Sequence, residues 1–169
     1  AIIMPYLPNE VQANKALNKI TFLSLMNHSS GLPRLPDNMP LNKNDMQPYA
    51  GYNSKMLFEF LAIAKPSDKK RYVYSNLGMA LAGVLAERIS GKSYAALLDK
   101  YIYIPFKIVN AESLIAKSNN KSQGYLDDTT KALYWNMNVM APAGGLKCSA
   151  KEMLQYLGCM SKPINKKSA

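Results

Sequence analysis

The chain has 169 residues, 48% of them hydrophobic, and carries 21 Lys+Arg against 11 Asp+Glu for a net charge of +10. That length supports a real hydrophobic core, and no apolar run reaches the roughly 20 residues a membrane-spanning helix needs. The lysines are scattered, and the densest basic runs, Lys69-Lys70-Arg71 and Lys166-Lys167, have no interleaved aromatic residues. The basic balance therefore describes a solvated surface and excludes a nucleic-acid groove as the leading reading.

In chain order, residues 1–20 carry Pro5 and Pro8 around a polar middle, which predicts an extended entry with one short helix. The opening Ala1-Ile2-Ile3-Met4-Pro5 is too short for a signal peptide and lacks a basic start. We read the chain as an internal portion of a longer protein. Thr21 then caps a helix over 21–28, with Phe22, Leu23, Leu25 and Met26 on its apolar side. His28-Ser29-Ser30-Gly31 ends it. His28 is the only histidine of the chain. As a catalytic base it would need a carboxylate partner and a nucleophile that the sequence does not supply nearby, so it reads as a hydrogen-bonding residue in a turn. Residues 31–52 are proline-rich and lack a long apolar period, which predicts a long loop.

Asn53 or Ser54 opens a helix over 53–64, stopped by Pro66. The stretch Tyr72-Val73-Tyr74-Ser75-Asn76-Leu77-Gly78 brings a phenol, a hydroxyl and a carboxamide together just before an apolar run. Asn76 is the expected cap of a helix over 76–90, and Gly91 its C-terminal stop. Taken alone, Tyr-x-Asn is most simply a capped turn. Ser93 opens a further helix to about Tyr103, halted by Pro105-Phe106. Residues 107–145 are polar and weakly patterned, with one or two short strands expected. Ser149 with Glu152 forms a capping box for a helix over 149–159, and the Lys/Ser/Pro-rich residues 161–169 read as a frayed tail.

Cys148 and Cys159 sit eleven residues apart, about 16 Å along a helix, too far for a disulfide. One histidine and no cysteine pair at ligand spacing leave no basis for a metal site, and no cofactor is expected. Gly91-Lys92-Ser93 looks like the end of a phosphate loop, but Ala86 stands where the motif requires Gly and a helix precedes it.

Three blocks change the weight of the Tyr-x-Asn turn. Upstream is Ile20-Thr21-Phe22-Leu23-Ser24-Leu25-Met26-Asn27-His28-Ser29-Ser30-Gly31-Leu32-Pro33. In the middle is Tyr74-Ser75-Asn76. Downstream is Pro142-Ala143-Gly144-Gly145-Leu146 followed by Ser149. In this order they resemble the serine β-lactamase-like family: class C β-lactamases, D,D-peptidases and related esterases. Ser29 replaces a Thr of the first block, and Cys148 and Glu152 depart from the third. Pro105-Phe106 and Gly124-Tyr125 look like further family features, and the matches run from about Tyr6 to about Leu157.

The resemblance implies a mainly α fold: the helical half of a β-lactamase/transpeptidase-like α/β fold, with long irregular loops and few short strands. It implies one helical domain over 1–160. The family's chemistry uses a Ser-x-x-Lys nucleophile, the Tyr-x-Asn turn and a Lys/His-x-Gly strand. By resemblance Tyr74 is the general base or acid and Asn76 the orienting amide. A tyrosine serving as a base needs cations beside it, and an Asn amide offers both a donor and acceptors.

The nucleophile is not where the family has it. Ser67–Lys70 and Ser118–Lys121 fit the Ser-x-x-Lys string, but both lie in polar stretches after the first block. No Lys/His-x-Gly strand is present. The expectation is thus a portion of a serine hydrolase, inactive as it stands. Its partners would be the missing sheet half and, in the full protein, a small-molecule or peptide substrate, with no nucleic acid. A dimer through an exposed apolar face is a further expectation. The family places such proteins in the periplasm or outside the cell. Two alternatives stand beside this reading: a non-catalytic helical module binding a protein partner or peptidoglycan, and an unrelated helical protein with coincidental motifs.

Overall fold

The computed structural model of the chain describes residues 1–40, 46–68, 71–108 and 121–161. Among these the structure is helical with almost no strand: pairing is confined to isolated antiparallel bridges, Ile2 with Thr21 and Tyr125 with Lys131. The helices are α1 (Asn9–Gln12), α2 (Phe22–Met26), α3 (Ser54–Ile63), α4 (Asn76–Ser90), α5 (Tyr94–Leu98), α6 (Ala141–Gly144) and α7 (Ala150–Met160). Short 3-10 turns stand at Met4–Tyr6, Lys15–Leu17 and Asn138–Met140, and a π-helical turn at Asp99–Tyr103 continues α5. The mainly α class expected from sequence is the class observed. The chain divides into two compact units, Ala1–Tyr94 with Gln123–Gly145, and Ala95–Ser122 with Leu146–Ala169.

The first unit holds the core. Leu17, Leu25, Leu57, Leu61, Leu77, Leu81, Leu85 and Met140 are fully buried there. Helix α4 is its axis, with Leu77, Ala80, Leu81, Val84 and Leu85 turned inward. Two interior glycines would each cost such a helix about 1 kcal/mol relative to Ala. One has a clear packing reason: a Cβ on Gly83 would overlap the Pro142 ring of α6. A Cβ on Gly78 would stand 3.3 Å from Ser75 Oγ and 3.4 Å from the Leu25 carbonyl of α2, close but not overlapping. The first and third sequence blocks both pack on α4, which the second block begins.

The caps are mostly those read from sequence. Thr21 and Ser24 make a reciprocal capping box on α2, and Asn53 caps α3 by accepting from Met56 N–H. Gly91 ends α4 at φ +66°. One cap differs. Ser75, not Asn76, caps α4: its Oγ accepts from Gly78 N–H at 2.9 Å and donates to the Pro33 carbonyl at 2.7 Å. Asn76 is the first helical residue, so its carboxamide is not spent on the cap.

Of the expected loop over 31–52, the described parts, 31–40 and 46–52, are tied down at several points. Tyr52, fully buried, donates its hydroxyl to Asn38 Oδ1 at 3.0 Å. Burial pushes that phenol up to about 12. Gln47 brackets residues 134–136, donating to the Tyr134 carbonyl at 2.9 Å and accepting from Asn136 N–H at 2.7 Å. Tyr49 meets Trp135 edge to face at 5.3 Å. In the turn between the bridged residues Tyr125 and Lys131, Asp127 Oδ1 accepts from the backbone of Thr129 and Thr130, which holds the exposed carboxyl down at about 2.

In the second unit, Ser149 and Glu152 form the expected capping box. Gln155 donates to the carbonyls of Phe106 and Lys107 at 3.0 and 2.8 Å, and Tyr156 meets Phe106 edge to face. Glu152, Gln155, Tyr156 and Cys159 share the packed side of α7. Met153, Leu154, Leu157 and Met160 are exposed. Cys148 and Cys159 are both free thiols. The expected frayed tail beyond Ser161 lies outside the described residues.

Candidate active site

The site is built where the end of α2 meets the start of α4. Helix α2 closes with Ser29 N–H reaching the Ser24 carbonyl at 2.9 Å and His28 N–H reaching Leu25. This pairing needs a left-handed residue at its centre, usually Gly. Here His28 takes it, at φ +60°. A non-glycine residue in that region carries roughly 1–2 kcal/mol of strain.

What the histidine side chain does there is visible in its bonds. Its Nδ1 accepts from Ser75 N–H at 3.2 Å, and its carbonyl accepts from Val73 N–H at 2.9 Å. The ring lies 5.5 Å from Tyr72 and 4.7 Å from Tyr74, centroid to centroid. An accepting Nδ1 has no proton of its own, so the ring N–H of this arrangement is Nε2. His28 thus clasps the turn from both sides, the hydrogen-bonding role its sequence context predicts.

Gly31 completes the frame. It sits at φ +75°, its carbonyl accepts from Ser67 N–H at 2.9 Å, and any Cβ would strike the Ser67 backbone. The conformation and the close approach each require glycine. The block His28-Ser29-Ser30-Gly31 therefore fixes two later segments: residues 73–75 through His28 and residue 67 through Gly31.

On this frame Tyr74 stands 45% exposed. Its hydroxyl makes no hydrogen bond among the described residues. Asn76, two residues on, is half-buried, and its carboxamide likewise has no hydrogen bond among them. The sequence-predicted pair thus lies on one rigid turn with its polar ends unspent. Tyr74 does not line the neighbouring cleft of about 960 Å³, although Pro33, Arg71 and Val73 do. It faces open surface.

Two residues at this place escape a reading of sequence. Ser75 holds the turn, but nothing local distinguishes it from Asn76 as a cap. Arg34 lies over the Tyr74 ring, its guanidinium carbon 5.7 Å from the centroid. Its own carbonyl accepts from Leu77 N–H at 3.2 Å, in the first turn of α4. That contact spans some forty residues and has no local sequence signal.

Of the two Ser-x-x-Lys strings, Ser67 donates its backbone N–H to the Gly31 carbonyl, while Lys70 and Ser118 lie outside the described residues. Among the described residues no three His, Cys, Asp or Glu side chains cluster to hold a metal, and no helix is long and apolar enough to cross a membrane.

A family model described as Beta-lactamase matches residues 3–168. The chain is 26% identical over 152 residues to Beta-lactamase-like protein 2 of Dictyostelium discoideum, an overlap of 81% of this chain and 26% of that protein. A class C beta-lactamase from Rhodobacter sphaeroides superposes with a TM-score of 0.71 at 22% identity, covering 93% of this chain and 42% of that one. A class C beta-lactamase in complex with cefoxitin gives 0.67 at 21% identity, covering 91% and 41%. The chain thus spans less than half the length of these solved structures and about a quarter of the curated relative.

Proposed function

Because the chain belongs to the beta-lactamase family, we propose that it is the helical part of a serine hydrolase acting through an acyl-enzyme on β-lactam, D-Ala-D-Ala peptide or ester substrates. The observation that carries this is the Tyr74–Asn76 turn, clamped by His28 and Ser75, with phenol and carboxamide both unspent. The cefoxitin complex of a class C relative makes a β-lactam the first substrate to try.

In this reading a serine outside these 169 residues attacks the acyl carbon. Its proton passes to Tyr74 and from there to the departing nitrogen or oxygen, and water then hydrolyses the ester. The Asn76 amide orients the substrate by donating to a carbonyl and accepting from an N–H. His28 holds the turn, its Nδ1 accepting from the Ser75 amide.

The surface of α7 supports a partner part. The helix turns Glu152, Gln155, Tyr156 and Cys159 inward and leaves Met153, Leu154, Leu157 and Met160 in water. An apolar stripe of that kind marks a surface to be covered, and we assign the covering element to the nucleophile-bearing sheet part. By family, the protein is periplasmic or secreted.

Intact-mass measurement after incubation with a β-lactam tests the assignment. The 169-residue chain should gain no acyl adduct. The complete protein should gain one, on a serine outside this chain, and Tyr74→Phe should slow its turnover by about 100-fold or more. Acylation of the isolated chain at Ser67 or Ser118 would overturn the reading.

A further inference from the structure

Arg34 is the group at this site that the reading above leaves without a task. Its position is fixed from two directions. Its carbonyl accepts from Leu77 N–H, and the preceding Pro33 carbonyl accepts from the Ser75 hydroxyl. Tyr74 is tied to the same frame through Val73, Ser75 and His28. The backbones of Arg34 and Tyr74 are therefore held together by hydrogen bonds, not only by the contact of their side chains.

The side-chain contact adds a direction. The guanidinium carbon lies 5.7 Å from the Tyr74 centroid, within cation–π reach of the ring. The guanidinium makes no hydrogen bond among the described residues, so its N–H donors keep the fork that matches a carboxylate. Among the described residues no carboxylate lies within ion-pair reach of Arg34. The adjoining start of α4 adds the positive end of a helix dipole to the same neighbourhood. Positive charge thus stands beside the Tyr74 ring, with no ion-pair partner for Arg34 among the described residues.

We propose that Arg34 is a specificity-determining residue of the Tyr74 site, and that the favoured substrates carry an additional carboxylate on the side chain that flanks the scissile acyl carbon. The proposal rests on the hydrolase reading and deepens it by naming a substrate class. A neutral side chain leaves the guanidinium in water at no loss; an anionic one exchanges water for a two-point, charge-assisted pair.

Phenylacetyl penicillin and phenylmalonyl penicillin test this, since they share one ring system and differ by one carboxylate on the acyl group. In the complete protein Arg34→Gln should raise KM for the phenylmalonyl compound about tenfold. It should leave KM for the phenylacetyl compound within about twofold. Arg34→Lys, which keeps the charge and loses the fork, should recover part of the loss. Equal losses for the two substrates would mean that Arg34 only supports the fold of the turn, and no change for either would mean that it does nothing there; both overturn the proposal.

Equilibrium titration of the same pair, by calorimetry, needs no turnover and separates this proposal from the hydrolase reading. A protein that hydrolyses neither compound but binds the dianion more tightly, and loses that preference in Arg34→Gln, keeps the anion site and loses the hydrolase assignment. Equal affinities for the two compounds in the unmodified protein, or a preference that survives Arg34→Gln, overturn the anion site whatever the turnover.

Discussion

Helices α4 and α7 both carry apolar side chains and meet opposite fates. Helix α4 turns its apolar residues inward: Leu77, Leu81 and Leu85 are fully buried. Helix α7 turns its more polar side inward, with Glu152 buried and Gln155 bonded to two carbonyls, and leaves Leu154 70% and Leu157 53% exposed. Both begin with a serine cap and both are stable local choices. The difference lies in what surrounds them. Around α4 the chain supplies α2 and α6, with Gly83 open to the Pro142 ring. Along the outer stripe of α7 the apolar side chains stay exposed among the described residues. A helix pattern states that one side wants burial; whether that side is buried depends on a partner.

The comparison makes energies unequal in a definite order. Leu81→Ala should remove about 3 kcal/mol of stability, because a fully buried leucine leaves a cavity in a packed core. Urea unfolding followed through Trp135, the only tryptophan of the chain and a member of the same unit, would measure it. A loss under 1 kcal/mol would mean that the α4 core is loosely packed.

Next comes an alkaline effect. The Tyr52 phenol is held up to about 12 by burial, against about 10 for a free tyrosine. Between those values the unfolded chain has lost the proton that the folded chain keeps, so stability falls as pH rises. The contribution is fully present below pH 10 and is lost through about pH 12, a change on the order of 2 kcal/mol. Unfolding series at pH 9 and 11.5 should differ accordingly, and Tyr52→Phe should flatten that slope while losing about 1 kcal/mol at neutral pH with the Asn38 hydrogen bond.

The smallest effect sharpens the contrast most. Leu157→Ser should change the stability of the 169-residue chain by no more than about 0.5 kcal/mol, since that side chain already meets water. Thermal melts by circular dichroism would detect more. A cost comparable to Leu81→Ala would show that the two helices are not the opposites described here.

Much of this was legible in sequence, for a physical reason. Caps and stops act over three or four residues, so Thr21, Asn53, Gly91 and Ser149 could be read from their own neighbourhoods. The Tyr74–Asn76 turn was legible as a short motif beside an apolar period. What was not legible depends on distant partners. Ser75 outcompetes Asn76 as the cap because its hydroxyl also reaches the Pro33 carbonyl. Arg34 meets Tyr74 only after the intervening loop and α3 have folded back. The inverted face of α7 is invisible to a periodicity count, since Met153, Leu154, Leu157 and Met160 mark an apolar side equally well wherever it points.

The seat that Gly83 offers Pro142 sets a schedule on synthesis. The two residues are 59 positions apart in the chain (142 − 83). At roughly 5–20 residues per second, the groove on α4 waits some 3–12 seconds for its occupant after Gly83 is made. During that interval the nascent chain holds an unfilled notch at Gly83, and the α2–α4 corner that positions Tyr74 stands without the Pro142 contact behind it. The Pro142 turn is then a late keystone, and a ribosome stalled short of it should display the turn without the support behind it.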